Sequence, residues 1–172
     1  MAAVPERYRT VAGRGQAAFE VRGSEFLGHV APAETVADAE AFVEAVREEY
    51  ADATHNVPAY RVRAAPLREY ASDAGEPTGS AGKPALNVLQ GEELANVAAV
   101  VTRYFGGTEL GVGGLARAYG RAVKEAVTDA ETTERRPHER FAVTVDYDDS
   151  GSVRGLLEGA DADFEAAYEA RV

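Results

Sequence analysis

Residues Ala95–Phe105 read Ala-Asn-Val-Ala-Ala-Val-Val-Thr-Arg-Tyr-Phe, a valine-rich apolar run without polar alternation. That is the pattern of a central strand covered on both faces, so the chain must supply layers on either side of it. Upstream, Tyr8–Ala12, Gln16–Arg22 and Glu25–Val30 read as short strands separated by Gly13/Gly15 and Gly23-Ser24, which predicts an antiparallel meander. Thr35 with Asp38 three residues on is a capping pattern, and Ala39, Phe42, Val43, Val46 and Tyr50 recur at helical spacing. Asp38, Glu40, Glu44, Arg47 and Glu48 form the solvated face of that helix.

Ala59–Arg63 alternates as a strand does, and residues 64–82 are rich enough in Gly, Pro, Ser and Asp to be read as one long loop. Pro84 suits the first turn of a helix through Gln90, because its missing N–H would be unpaired there anyway. A glycine loop from Gly106 to Gly114 leads into a helix over Leu115–Val127. Residues 129–139 are charged and contain proline, which marks them as a linker between a domain over 1–128 and a segment over 140–172. In that last segment Phe141–Tyr147 reads as a strand, Ser150–Glu158 as a short helix, and Asp163–Val172 as a further strand or a frayed helix. It is smaller than the roughly 40 residues below which a domain needs help to fold, so it must pack, dimerise or be the front half of something longer.

The chain has 18 basic and 29 acidic residues and a formal charge of −11, which excludes a generically basic nucleic-acid binder but not a local basic site. Residues 58–128, with 8 basic and 7 acidic side chains, are the one stretch that is not strongly acidic, so an anion-binding face belongs there. Sixteen of the basic residues are arginine and two are lysine, with alanine and short acids abundant. Large negative charge of this kind suits a high-salt cytoplasm, where cations screen self-repulsion. A GC-rich coding sequence would also favour Ala and Arg. With no cysteine, disulfides, thiolate metal sites and cysteine nucleophiles are excluded. No apolar run approaches the ~18 residues of a membrane span and no signal-peptide core is present, which predicts a soluble, cytoplasmic protein without a membrane partner.

Gly111-Val-Gly-Gly-Leu-Ala116 satisfies a loose dinucleotide fingerprint, but the parallel strand and acidic residue that should follow are missing. Gly79-Ser-Ala-Gly-Lys83 fails as a phosphate loop, since Pro77 stands where its first glycine belongs and Pro84 replaces the hydroxyl residue. No cofactor is predicted. His29, His55 and His138 lie in a strand, a loop and a linker with no ligand spacing, so no metal site is predicted either. Glycines before a helix still let backbone N–H groups converge on an anion near Gly113–Arg117.

Three stretches stand out together: Ala53-Thr-His-Asn-Val-Pro-Ala-Tyr-Arg61, Ser72-Asp-Ala-Gly-Glu-Pro-Thr-Gly-Ser-Ala-Gly-Lys-Pro84, and Val101–Gly120 with its Arg103-Tyr-Phe-Gly-Gly107 and Gly111-Val-Gly-Gly-Leu-Ala-Arg117. In this order and spacing, over about residues 15–128, they resemble the IMPACT/YigZ family. Val57-Pro58, Ala74 and Glu109 depart from its usual residues. The resemblance implies an α/β (α+β) fold: a two-layer domain with a four-stranded mixed sheet and two helices, like domain IV of elongation factor G. The tail from Phe141 resembles the opening of a ferredoxin-like domain. It also implies a link to translation, since eukaryotic members regulate it while prokaryotic members are described only as suspected nucleic-acid or ribosome binders.

On that basis the expected function is a module without catalytic residues that binds the ribosome, RNA or a translation factor through its two central loops. Arg61, Lys83, Arg103 and Arg117, with Gly106, Gly107, Gly113 and Gly114, would meet phosphates. Tyr60, Tyr104 and Tyr119 would stack on bases. His55, Ser72, Asp73, Glu76 and Thr78 would hold a ligand or brace the loop. The alternatives are a regulator that grips a protein partner with the same loops, and a small hydrolase using His55 with Asp73 or Glu76.

Overall fold

The structure, a computed structural model, describes residues 7–64, 66–138, 141–160 and 162–169. In chain order the elements are β1 (Tyr8–Val11), β2 (Gly15–Val21), β3 (Ser24–Pro32), α1 (Val36–Glu49), β4 (His55–Val62), β5 (Arg68–Ala71), α2 (Gly82–Gly91), β6 (Val97–Tyr104), α3 (Gly111–Ala130), β7 (Thr132–Arg135), a 3-10 turn (Tyr147–Asp149) and α4 (Ser150–Gly159). The chain divides into two units, residues 1–137 and 138–172.

In the first unit β6 is the middle strand of a five-stranded sheet ordered β2-β3-β6-β4-β5, and it is buried over nearly its whole length. Strand alternation divides its side chains between two covering layers. Ala98 packs with Ala33, Ala39, Tyr60 and Val62, and Val100 with Val43 and Val46, so this face lies under α1. Val97, Ala99 and Val101 join the larger core with Leu89 of α2 and Leu115, Tyr119 and Val123 of α3. The α+β class follows the resemblance, but the details differ: the sheet has five strands, every pairing is antiparallel, and three helices cover it on two faces.

The fifth strand is β5, which forms inside the stretch read as loop because Arg68–Ala71 pairs with Val62–Ala59 of β4. β1 does not join β2 in a meander. It pairs with β7, from the stretch read as linker, in register Tyr8↔Arg135 to Val11↔Thr132. The helix after the glycine loop begins at Gly111 and ends at Ala130, so Gly113 and Gly114 lie in its first turn. Tertiary packing overrides their poor helix propensity. This helix lies close on β2 and β3 through Ala122, Ala126 and Ala130. A Cβ at Gly28 would overlap the Ala122 carbonyl oxygen, and one at Gly15 the Ala126 carbonyl oxygen.

The second unit, by itself, contains the 3-10 turn and α4, where Arg154 pairs with Glu158 at 3.5 Å and lies 5.6 Å from the Phe164 ring centroid. Residues 141–146 form no strand, since none of the described residues of the unit offers a partner strand for them. Residues 162–169 carry no regular structure; residues 170–172 of that expected element lie outside the described residues.

Candidate functional site

The three distinctive stretches meet at one carboxylate. Glu76, from the loop between β5 and α2, has a side chain only 3% exposed, and its Oε1 accepts from Arg103 Nη1 at 2.5 Å and from the Tyr119 hydroxyl at 2.7 Å. His55, at the start of β4, brings Nε2 to 3.5 Å from the same oxygen, while its Nδ1 donates to the Ala74 carbonyl at 2.8 Å. A carbonyl only accepts, so Nδ1 carries a hydrogen. Burial, then the contact with Glu76, push the Tyr119 hydroxyl far above the ordinary tyrosine range. Arg103 also donates through Nη2 to Ser24 Oγ at 3.2 Å and lies over the rings of Phe26 and Phe105.

This placement corrects two expectations. Arg103, whose side chain is 5% exposed, faces Glu76 rather than a phosphate, because a guanidinium in the core must be paired there. Tyr119 is wholly buried, with its ring edge-on to Phe26 at 5.4 Å, and offers no face for a base.

Asp73 turns the other way, onto the start of α2. Its Oδ2 accepts from Gly79 N at 2.9 Å, and its Oδ1 from Gly82 N at 2.9 Å and Ala81 N at 3.2 Å. Burial alone would raise its pKa, but these three N–H donors outweigh it and hold the carboxyl below its ordinary value. Ser72 Oγ accepts from Ala74 N at 3.2 Å, and the Ser72 backbone crosses so close to Gly82 that an added Cβ there would not fit. Both residues brace the loop. Thr78 is exposed at its tip and Lys83 in the first turn of α2. The His55–Asp73 pairing of a hydrolytic set is not made, since each side chain is committed to a different backbone segment.

Arg61, another expected phosphate contact, caps the far end of α2 instead, donating through Nη1 to the Leu94 carbonyl at 3.0 Å and the Leu89 carbonyl at 3.3 Å, with Glu69 at 3.4 Å. Tyr60 alternates with it onto the other face of the sheet, buried beneath α1 and away from the glycine loop. Tyr104 is half-buried and donates its hydroxyl to Asp52 Oδ1 at 2.8 Å; that bond, followed by desolvation, raises its pKa.

What remains at the surface is the glycine loop and the start of α3. Gly106 lies against the β2–β3 turn, where a Cβ would overlap the Gly23 backbone, and its N–H donates to Ser24 Oγ at 3.2 Å. Gly107 follows in the left-handed region with φ +86°. Beside this contact a groove of about 200 Å³ opens between the turn and α3, lined by Val21, Arg22, Leu110, Gly114, Arg117, Ala118 and Arg121. Arg117 lies alongside Gly113, where an added Cβ would come within 3.3 Å of its Nη1. Arg121 lies over the Phe19 ring at 3.9 Å and pairs with Glu125 at 3.2 Å. The start of α3 has no side-chain cap and no acidic residue in its first turn.

Of the expected phosphate contacts, then, Arg117, Gly113 and Gly114 come together here, joined by Arg22 and Arg121, which sequence reasoning did not single out. Arg121 was legible, being one turn from Arg117 on a predicted helix. Arg22 reaches the groove only through the fold. Among the described residues no group of three or more His, Asp or Glu side chains is placed to hold a metal ion, and no helix is long and apolar enough to cross a membrane.

Residues 22–127, which span the Glu76 cluster and the three arginines, match the Impact N-terminal domain family. The IMPACT family member YvyE of Bacillus subtilis (strain 168) is 37% identical over 150 residues, covering 87% of this chain and 69% of that protein. The IMPACT family member YigZ of Escherichia coli (strain K12) is 37% identical over 161 residues, covering 89% and 78%. A crystal structure described as that of a hypothetical protein superposes with a TM-score of 0.74 at 35% identity, covering 95% of this chain and 81% of its own. With a domain match over most of its length and relatives aligned along nearly all of it, the chain belongs to the IMPACT family.

Proposed function

We propose that this protein is a non-catalytic, translation-associated regulator that acts in the cytoplasm and docks on RNA of the ribosome or of tRNA through the groove of Arg22, Arg117 and Arg121. The observation that carries this reading is that three arginines, Arg22, Arg117 and Arg121, line one groove in a chain of net charge −11. Arginines in that arrangement suit a phosphodiester backbone, which they position without reading sequence. The uncapped first turn of α3 adds N–H donors of the right polarity. Membership of the IMPACT family supports the link to translation, because the family resemblance implies that its eukaryotic members regulate it. The acidic remainder of the surface repels nucleic acid, so binding needs enough salt to screen that repulsion and little enough to keep the phosphate contacts.

The experiment is binding of ribosomes and of bulk tRNA across a KCl series, with Arg22→Glu/Arg117→Glu beside the parent and circular dichroism to verify the fold. The double reversal should abolish binding, and the single Arg117→Gln should lower the slope of log K against log salt by about 1. Unchanged retention of the double variant would move the assignment to another surface. Binding that survives molar salt and nuclease treatment would indicate a protein partner.

A further inference from the structure

Two aromatic rings of the first unit are exposed among its described residues, Tyr70 and Phe105. Tyr70 stacks on Tyr60 at the outermost strand of the sheet. Phe105 stands at the head of the glycine loop, directly after β6, and is 50% exposed. One face of its ring is already taken, since the Arg103 guanidinium carbon lies over it at 5.4 Å from the centroid and over buried Phe26 at 5.6 Å. That guanidinium is fixed in turn, by Glu76 Oε1 on Nη1 and Ser24 Oγ on Nη2. The Phe105 N–H donates to Thr54 Oγ1 at 3.0 Å. The ring is therefore seated on a cation before any ligand arrives, and a ligand that covers it loses little to ordering it.

The surroundings leave room for a flat ligand. Gly106 and Gly107 follow Phe105 without side chains, and a Cβ built at Gly107 would meet nothing within 4 Å. A protein hot spot needs a rim of neighbouring side chains that excludes water, whereas a base needs only a free π face. Strand alternation puts Phe105 with Arg103 on the α3 side of the sheet, and it puts Tyr104, with Asp52 bonded to it and Glu25 opposite it, on the other. The loop that begins at Phe105 rests on Gly23, next to Arg22, and ends at Leu110, which lines the arginine groove. Glu109 is the one acidic residue of that loop, and it bears on phosphate attraction rather than on stacking. We infer, on the RNA reading of that groove, that Phe105 is a stacking platform for an unpaired base, so that the protein selects single-stranded over double-stranded RNA. Phosphates along the groove fix the strand, and a base turned out of it lies on the outer face of the phenyl ring. Bases inside a duplex are covered by their neighbours and cannot reach it.

The test titrates the whole chain with a short oligoadenylate, with the same strand lacking its bases, and with an RNA duplex, at one fixed KCl concentration. Phe105→Ala and Phe105→Leu should each weaken oligoadenylate binding by about fivefold or more, the loss of one stacked base, while leaving duplex binding within twofold. Phe105→Tyr should stay within twofold of the parent, as should Tyr70→Ala, which removes the other exposed ring. The chain contains no tryptophan, so Phe105→Trp places a single indole at the site. Its fluorescence should be quenched by oligoadenylate and not by the strand without bases. If Arg22→Glu/Arg117→Glu abolishes RNA binding while Phe105→Ala leaves oligoadenylate binding unchanged, the groove keeps its function and this inference alone is overturned. If the parent binds neither RNA, both readings fall. Equal losses on single strand and duplex would overturn the selection of unpaired bases. Retention on ribosomes that needs Phe105 but survives nuclease treatment would assign the ring to a protein partner instead.

Discussion

Arg103 of β6 and Tyr119 of α3 donate to the same oxygen, Glu76 Oε1, at 2.5 and 2.7 Å. One loop carboxylate therefore joins the central strand to the helix packed on it, inside the core rather than at its surface. Removing Glu76 leaves a buried guanidinium and a buried hydroxyl without their acceptor. Glu76→Ala should cost about 3–5 kcal/mol, the usual penalty for breaking a buried pair from one side. Glu76→Gln, which keeps an acceptor, should cost less. In urea denaturation, Glu76→Ala/Arg103→Ala should lose less than the two single variants summed, because the second removal relieves the first. Additive losses would mean that the pair is not coupled.

Asp73 serves α2 as Thr35 serves α1, but from eight residues before Ala81 and with both oxygens. Asp73→Ala should lower stability by about 1–2 kcal/mol, in the range of lost helix caps, and Asp73→Asn should recover part of that through its remaining carbonyl oxygen. Protease nicking within residues 72–81 should rise in parallel. Unchanged denaturation midpoints would show that the loop holds its shape without the carboxylate.

His29 supplies the pH dependence. It lies in β3 beneath α1, with Tyr50 5.0 Å away between ring centroids and Thr102 Oγ1 at 3.4 Å from Nε2. Burial lowers its pKa from 6.5, and the charge of Glu49 only partly opposes that. A group whose folded pKa is depressed contributes stability that is present above the unfolded value and lost as pH falls through the folded one. The denaturation midpoint should therefore fall on acidification below about pH 6.5, and it should fall less in His29→Gln. Identical slopes in the two proteins would locate the titration elsewhere.

The charge of −11 makes a separate prediction about salt. Screening shortens the reach of self-repulsion from about 10 Å at 0.1 M to about 3 Å at 1 M, so the thermal midpoint should climb as KCl is raised over that range. A midpoint that is flat in salt would remove the high-salt reading of the composition.

Much of this architecture was legible, and the failures have physical causes. Ala95–Phe105 announced a doubly covered strand because both of its faces are apolar. Thr35 and Asp38 announced α1, and the Thr35 side chain does accept from Asp38 N at 3.0 Å. β5 and β7 were not legible: each is four residues long and mostly charged or polar, and each exists only because a distant strand offers hydrogen bonds. Arg61 and Arg103 read as surface residues because a charged residue shows no sign of burial until its acceptors are located, and those come from remote segments. Arg103 did carry a clue, since alternation places it on the same face as Val97, Ala99 and Val101. Tyr119 carried another, recurring with Leu115, Ala122 and Val123 on the apolar side of α3.

The pairing of β1 with β7 gives the first unit a mechanical polarity. Tyr8 stands opposite Arg135, so tension applied through the residues before Tyr8 and after Arg135 acts at one end of a four-rung ladder and parts the rungs in succession. β1 has a second attachment, its Arg9 carbonyl accepting from Ala95 N at 2.9 Å, whereas β7 borders no other strand among the described residues. A pull on the residues that follow Arg135 therefore meets this four-rung ladder first, one rung at a time, before it can reach the five-stranded sheet through α3.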